Sequence, residues 1–249
     1  MELVVLGAGS PYPRPAVPCS GYLLRTDRSR VWIDPGPGTL ANLLAVEELR
    51  NINAIWVSHL HADHTADLIL AVYALDDGKL GSGMPIPVLA PAGLRERVAA
   101  FLGKSPDTLD PFLTFDELHD GHHWASEDLR LTSISVEHGA TDAYAVRAED
   151  AHSAVVFTGD TRLTNSLLTL TVDADLLLSE ANHLDRADPR SAAHLSAHDA
   201  GDLAERSGAR SLALTHIDAD QDEEAITRAA AESYSGLIHV ARAGQKFTT

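Results

Sequence analysis

The chain of 249 residues has a single cysteine, Cys19, so it can form no intramolecular disulfide and cannot build a thiolate-rich zinc site. That usage fits a reducing cytoplasm, the expected location. No apolar run approaches the roughly 18 residues of a membrane-spanning helix, and the opening Met1-Glu2-Leu3-Val4-Val5-Leu6 lacks the basic start of an export signal. Lysine is scarce, at Lys79, Lys104 and Lys246 only. With 19 Lys and Arg against 36 Asp and Glu the formal charge is −17, which disfavours a nonspecific grip on nucleic-acid phosphates or anionic lipid. No basic patch, internal repeat, low-complexity tract or linker is found, so residues 1–249 read as a single domain. Histidine is the exception to this scarcity: there are 13, several of them crowded together.

Short apolar runs bounded by Gly, Pro or Asp predict strands at 3–6, 22–26, 31–34, 54–58, 88–90, 129–137, 143–148, 154–158, 176–179, 211–215 and 237–241. Helical spacing of apolar residues predicts helices at 40–49, 65–75, 94–102, 163–170, 197–206 and 223–233. Strands in succession with helices interspersed suit two sheets with helices outside. The stretches 76–83 and 104–120 read as loops that precede strands.

The segment Val57-Ser58-His59-Leu60-His61-Ala62-Asp63-His64 follows a predicted strand. An extended backbone sets residues two apart on the same side, so His59 and His61 can converge on one ion, with Asp63 and His64 on the turn beyond. Imidazole and carboxylate suit zinc, and also manganese or iron.

This H-x-H-x-D-H after a strand, with Asp34 in Val31-Trp32-Ile33-Asp34-Pro35-Gly36, resembles the metallo-β-lactamase-fold hydrolase superfamily. The resemblance implies an α/β fold, a four-layer αββα metallo-β-lactamase sandwich. The later positions of the pattern are His138, Asp160 and His216, each at the end of a predicted strand. Carried over, the pattern puts His59, His61 and His138 on a first metal ion, Asp63, His64 and His216 on a second, and Asp160 between them. Two divalent ions are therefore expected, zinc first, with manganese or iron as alternatives. Ions about 3.5–4 Å apart can bridge a hydroxide and clamp both oxygens of a displacement. Asp34 is implied to orient ligands through hydrogen bonds.

The best-known zinc β-lactamases have Cys where Asp160 stands, which argues against that branch. Leu178-Ser179-Glu180-Ala181-Asn182 and His194-Leu195-Ser196 are instead similar to the His-Glu-Ala-Thr and His-Ser-Thr motifs of ribonuclease Z-type phosphodiesterases, with Ser179 and Asn182 departing. The resemblance implies that His194 contacts the phosphate and protonates the leaving oxygen while Glu180 orients it, so the expected catalytic residues are Asp63, Glu180 and His194. On the residues alone, Ser196 and Asp199 also suit an N-cap and its N3 partner, which would make His194 simply the residue before a helix. The two readings are compatible, because a helix N-terminus favours a bound phosphate oxygen.

From His138 to Asp160 is 22 residues, room for two strands and their turns but not for the tRNA-binding arm that ribonuclease Z carries there. The layout is closest to the actinobacterial cyclic-nucleotide phosphodiesterase-like group. Leu6-Gly7-Ala8-Gly9-Ser10-Pro11, Ser20-Gly21-Tyr22-Leu23-Leu24, His122-His123-Trp124 and Leu214-Thr215-His216 carry that match. His122 and His123 read as loop residues, Tyr22 and Tyr144 as packing, and Arg14 and Arg162 as solvated side chains near the site. The expected activity is hydrolysis of a small phosphodiester by a bridging hydroxide, with His194 as general acid. Alternatives are a lactone, ester or thioester hydrolase on the same metals, and a non-catalytic metal-bearing binding protein. Expected partners are a small-molecule substrate and, as is common in the superfamily, a second copy in a homodimer; no membrane is expected.

Overall fold

Consecutive apolar residues in a strand send alternate side chains to opposite faces, and here both faces are covered. In the computed structural model, which describes every residue except 79 and 82, β1 (Glu2–Gly7) turns Leu3 and Val5 toward one core and Val4 and Leu6 toward another. The chain continues through β2 (Gly9–Ser10), β3 (Gly21–Arg25), β4 (Arg30–Ile33), β5 (Ala54–Trp56), β6 (Ile86–Ala90) and β7 (Leu113–Glu117). It crosses to the second sheet through β8 (His122–Ala125), β9 (Arg130–His138), β10 (Thr141–Glu149), β11 (Ala154–Phe157), β12 (Leu176–Glu180) and β13 (Ser211–Thr215). The short β14 (Ile217–Asp218) pairs with β2, and β15 (Leu237–Val240) and β16 (Lys246–Thr248) complete the two sheets.

The sheets have seven strands each, in the orders β16-β1-β3-β4-β5-β6-β7 and β15-β13-β12-β11-β10-β9-β8. Their inner faces meet over Tyr22, Trp56, Tyr144, Phe157 and Leu178. Trp56 and Phe157 stand edge to face at 6.2 Å, and the Trp56 indole N–H donates to Ser133 Oγ at 3.0 Å, so this large ring is buried without an unmet donor. Helices α1 (Thr39–Val46), α2 (Ala62–Asp76) and α3 (Leu94–Phe101) cover the outer face of the first sheet, and α4 (Asn165–Thr171), α5 (Ala197–Ser207) and α6 (Glu223–Ala231) that of the second. The result is the four-layer αββα sandwich. Tyr22 and Tyr144 are packing residues, their hydroxyls bonded to Thr215 and to the Leu118 carbonyl.

Most predicted elements lie within a residue or two of their observed bounds. The stretch 104–120 is a correction: it holds a 3₁₀ turn at Pro106–Leu109 and strand β7. His122 and His123 begin β8 and are not loop residues. Both strands are sheet edges, where polar residues face water and blunt the apolar signal; in β7 only Leu113 is fully buried. The stretch 76–83 is a loop beyond Asp76 in its described residues, with 79 and 82 lying outside them. Among the described residues no helix is long and apolar enough to cross a membrane.

Strands β4 to β7 run parallel, as do β11, β12, β13 and β15. Ligands in such sheets bind beyond the carboxyl ends of the strands. His59, Asp160, Glu180 and His216 all emerge there, at or after the ends of β5, β11, β12 and β13, and His138 closes β9 beside them.

Candidate metal centre

Five histidines and two aspartates that the sequence singled out converge between the two sheets. His59 Nε2 is 2.9 Å from His61 Nδ1, which is 3.2 Å from His138 Nε2. In a second group, His64 Nε2 lies 3.3 Å from His216 Nε2, and His216 Nε2 lies 3.3 Å from Asp63 Oδ2. Asp160 joins the groups: its Oδ2 stands 3.7 Å from His59 Nε2 and 3.5 Å from both His64 Nε2 and His216 Nε2. Nitrogens bound about 2.0–2.1 Å from one tetrahedral ion stand roughly 3.3 Å apart, so both groups have the spacing of a ligand set.

Hydrogen bonds on the far side of the rings fix their direction. His138 Nδ1 donates to the Ala193 carbonyl at 2.8 Å, and His64 Nδ1 to Asp34 Oδ2 at 2.7 Å. His59 Nδ1 is 3.0 Å from Ser58 Oγ, whose own proton goes to Asp34 Oδ2 at 2.8 Å. With those Nδ1 protons committed, the Nε2 lone pairs of His59, His64 and His138 face the centre, the arrangement a metal requires. Asp160 Oδ1 is buried without a hydrogen-bond partner among the described residues, so the site has polar capacity that the protein itself leaves unmet. The donors therefore fit divalent metal ions.

Local backbone geometry builds this cage. Asp34 follows β4 with φ of 49° and His216 follows β13 with φ of 52°, left-handed conformations that turn each side chain back over its strand end. Gly36 allows the Asp34 loop to lie against the start of α2, since a Cβ there would stand 2.1 Å from the Asp63 carbonyl oxygen. Asp67 ties the outer helices together by accepting the Leu40 N–H at 2.8 Å, where α1 has no side-chain cap of its own.

Electrostatics follow from crowding charge away from water. Burial drives the His59 imidazole far below its usual range, with the neighbouring His64 adding to the effect. Burial also works against a proton on His64 and on His216. The carboxylates beside them outweigh it, however, holding His64 well above its ordinary value and His216 at about 10. Burial opposes ionisation of Asp63 and Asp160, yet the surrounding histidines hold both far below the usual carboxylate range. The cage thus balances its carboxylates with imidazolium protons that bound cations would displace.

Glu180 and His194 sit at the rim of the second group. His194 Nδ1 is 2.8 Å from Glu180 Oε2, while Glu180 Oε1 accepts the Thr161 N–H. The pair also lies near Asp160 and His216, at 3.9 Å and 3.8 Å. Glu180 uses both oxygens in these hydrogen bonds, and Asp160, Glu180, His194 and His216 also stand within ligand spacing of one another. Burial lowers the affinity of His194 for its proton, and Glu180 more than reverses this. Glu180 is fully buried, whereas the His194 side chain keeps 19% exposure and can meet a ligand. The N-cap reading holds too: Ser196 and Asp199 form a reciprocal capping box at the start of α5. Sequence reasoning missed Ser58 and the Ala193 carbonyl. Arg162 pairs with Glu137 and is exposed.

The chain belongs to the β-lactamase superfamily: residues 29–217 match the family model described as beta-lactamase superfamily domain. It is a metallo-hydrolase of that superfamily, which implies divalent metal ions at the histidine and aspartate groups. Among individual proteins it is similar to the metallo-hydrolase YhfI of Bacillus subtilis, 26% identical over 98% of this chain and 98% of that one. The crystal structure of YhfI superposes with a TM-score of 0.87 over 99% of this chain and 98% of that one, at 25% identity. A ribonuclease Z of Streptomyces coelicolor is 28% identical over 97% of this chain and 95% of its own length. The fold is shared with human tRNase Z, short form, at a TM-score of 0.80 and 20% identity, over 100% of this chain and 99% of that one.

Proposed function

We propose that the protein hydrolyses small phosphodiesters, of the size of cyclic nucleotides, at a dinuclear metal centre. His59, His61 and His138 would hold one ion, Asp63, His64 and His216 the other, with Asp160 shared between them. Two such ions supply an activated water as nucleophile and a positive clamp for the phosphoryl oxygens. The observation that carries the reading is the 2.8 Å pair of His194 and Glu180 at the edge of this cage. Glu180 accepts the Nδ1 proton and fixes the ring, so His194 Nε2 is free to hold the proton that the leaving oxygen needs. An ester or lactone hydrolase has less use for this pair. The relative named ribonuclease Z supports phosphodiester chemistry. The acidic surface and the two-strand interval between His138 and Asp160 favour a small substrate over tRNA.

Zinc- or manganese-loaded enzyme tested across cyclic nucleotides, linear diesters, lactones and thioesters examines this. Turnover concentrated on the diesters is the expected result. Turnover of lactones or thioesters with none of diesters contradicts it.

A further inference from the structure

Between β12 and α5 the chain makes an excursion from Leu184 to His194. Its base continues the strand pairing: the Asn182 N–H donates to the Leu195 carbonyl at 3.1 Å, and the Ala197 N–H to the His183 carbonyl at 2.8 Å. Every residue from Leu184 to His194 is at least partly exposed, so no buried apolar side chain anchors this stretch. It nevertheless carries the Ala193 carbonyl that meets His138 and the candidate acid His194 itself. Polar contacts must hold it in place.

Some of those contacts are ion pairs open to water, between Arg186 and Asp199 and between Arg190 and both Asp188 and Asp218. Such pairs are screened and constrain a loop weakly. The other contact comes from beneath. His183 is fully buried, and its Nε2 stands 2.7 Å from Ser191 Oγ. Ser191 belongs to the 3₁₀ turn Pro189–Ala192, within which the Arg190 carbonyl accepts the N–H groups of both Ala193 and His194 at 2.9 Å. Burial lowers the affinity of the His183 ring for a second proton, so a neutral imidazole meets the Ser191 hydroxyl.

Filling space alone would call for an apolar ring here. His183 instead leaves Nδ1 buried and without a partner among the described residues, a cost that phenylalanine would not carry and that the Ser191 contact offsets. We propose that His183 is a positioning residue for His194: its hydrogen bond to Ser191 fastens the 3₁₀ turn to the buried end of β12, and the turn sets the backbone of Ala193 and His194. The proposal rests on the phosphodiesterase reading for what His194 then does.

Three metal-loaded variants test it against the wild type. His183→Phe keeps a ring of similar size and removes the bond, Ser191→Ala removes the bond from the partly exposed side, and His183→Gln keeps an amide that can meet the hydroxyl. Hydrogen exchange at the amides of Ala193 and His194 reads the placement apart from catalysis. Exchange is expected to be about tenfold faster or more in His183→Phe and Ser191→Ala and close to wild type in His183→Gln. On an alkyl diester, kcat should fall about tenfold or more in the first two variants, with KM within about twofold, and the loss on a nitrophenyl diester should be much smaller. His183→Gln should recover most of the loss, and the double variant of His183→Phe and Ser191→Ala should lose no more than either single one.

Equal losses on both diesters, unchanged exchange in Ser191→Ala, or a His183→Gln no better than His183→Phe overturns the proposal. Should His183→Phe fail to fold, Ser191→Ala and His183→Gln decide the question between them. Exchange that responds as expected in a protein that hydrolyses no diester refutes the phosphodiesterase reading alone. Diester hydrolysis and amide exchange that are indifferent to the His183–Ser191 bond refute the positioning role alone.

Discussion

His138 Nδ1 lies 2.8 Å from the carbonyl oxygen of Ala193, the residue immediately before His194. A candidate metal ligand on β9 is thereby braced by the backbone that presents the candidate acid. The same stretch is held further by Arg190, whose carbonyl accepts the N–H groups of Ala193 and His194, and whose guanidinium reaches Asp218 at 3.0 Å. Backbone hydrogen bonds thus tie the metal cage to the segment that presents the candidate acid.

Asp160 faces both ligand groups, so Asp160→Ala should do more damage than loss of any single histidine. Metal analysis of protein prepared without chelators is expected to find close to two ions per chain in the wild type and less than one in the variant. A variant with full metal content and full activity would show that Asp160 does not join the two groups.

Asp34 sets the tautomer of His64. In Asp34→Asn the new side-chain amide would offer N–H to His64 Nδ1, moving the ring proton to Nε2 and blocking the lone pair that faces the centre. Asp34→Asn should therefore weaken metal binding by about 10–100-fold, nearly as much as Asp34→Ala, despite its near-identical shape. Competition with a chelator of known affinity measures this, and wild-type affinity in Asp34→Asn would refute the tautomer account.

Cys19 is fully buried, and burial, followed by the nearby Asp63 carboxylate, pushes its thiol up to about 12. The thiolate is the reactive form, so native protein should resist thiol reagents at neutral pH and react with one equivalent after unfolding. Rapid native labelling would show that the loop around Cys19 opens.

Between His138 and Asp160 the chain makes only β10, β11 and their turns. With a formal charge of −17, the protein should not trim the 3′ end of precursor tRNA at physiological salt. Efficient trimming, measured by the appearance of the mature 3′ end, would contradict the small-substrate reading.

The strands carrying the site were legible because they are buried on both faces and so appear as unbroken apolar runs, as in Leu176-Leu177-Leu178 and Leu212-Ala213-Leu214. His138, Asp160 and His216 were legible because each stands at or just after the end of a predicted strand, and His59, His61, Asp63 and His64 because they crowd into one motif. Edge strands escaped notice: Leu113-Thr114-Phe115-Asp116-Glu117 and Lys246-Phe247-Thr248 place polar side chains toward water and take their order from pairing partners far along the chain. The supports of the ligands were hidden for another reason. The Ala193 contact uses a backbone carbonyl 55 residues from His138, which no residue type announces.

The most direct test of the central claim compares wild type with His194→Ala on two diesters, one with an alkoxide leaving group and one with nitrophenolate, alongside metal analysis of both proteins. A general acid matters most where the leaving oxygen is strongly basic. The expected result is a fall in kcat of roughly 10²–10⁴-fold on the alkyl diester, a much smaller loss on the nitrophenyl diester, and unchanged metal content. Equal losses on both substrates, or loss of metal from His194→Ala, would contradict the account.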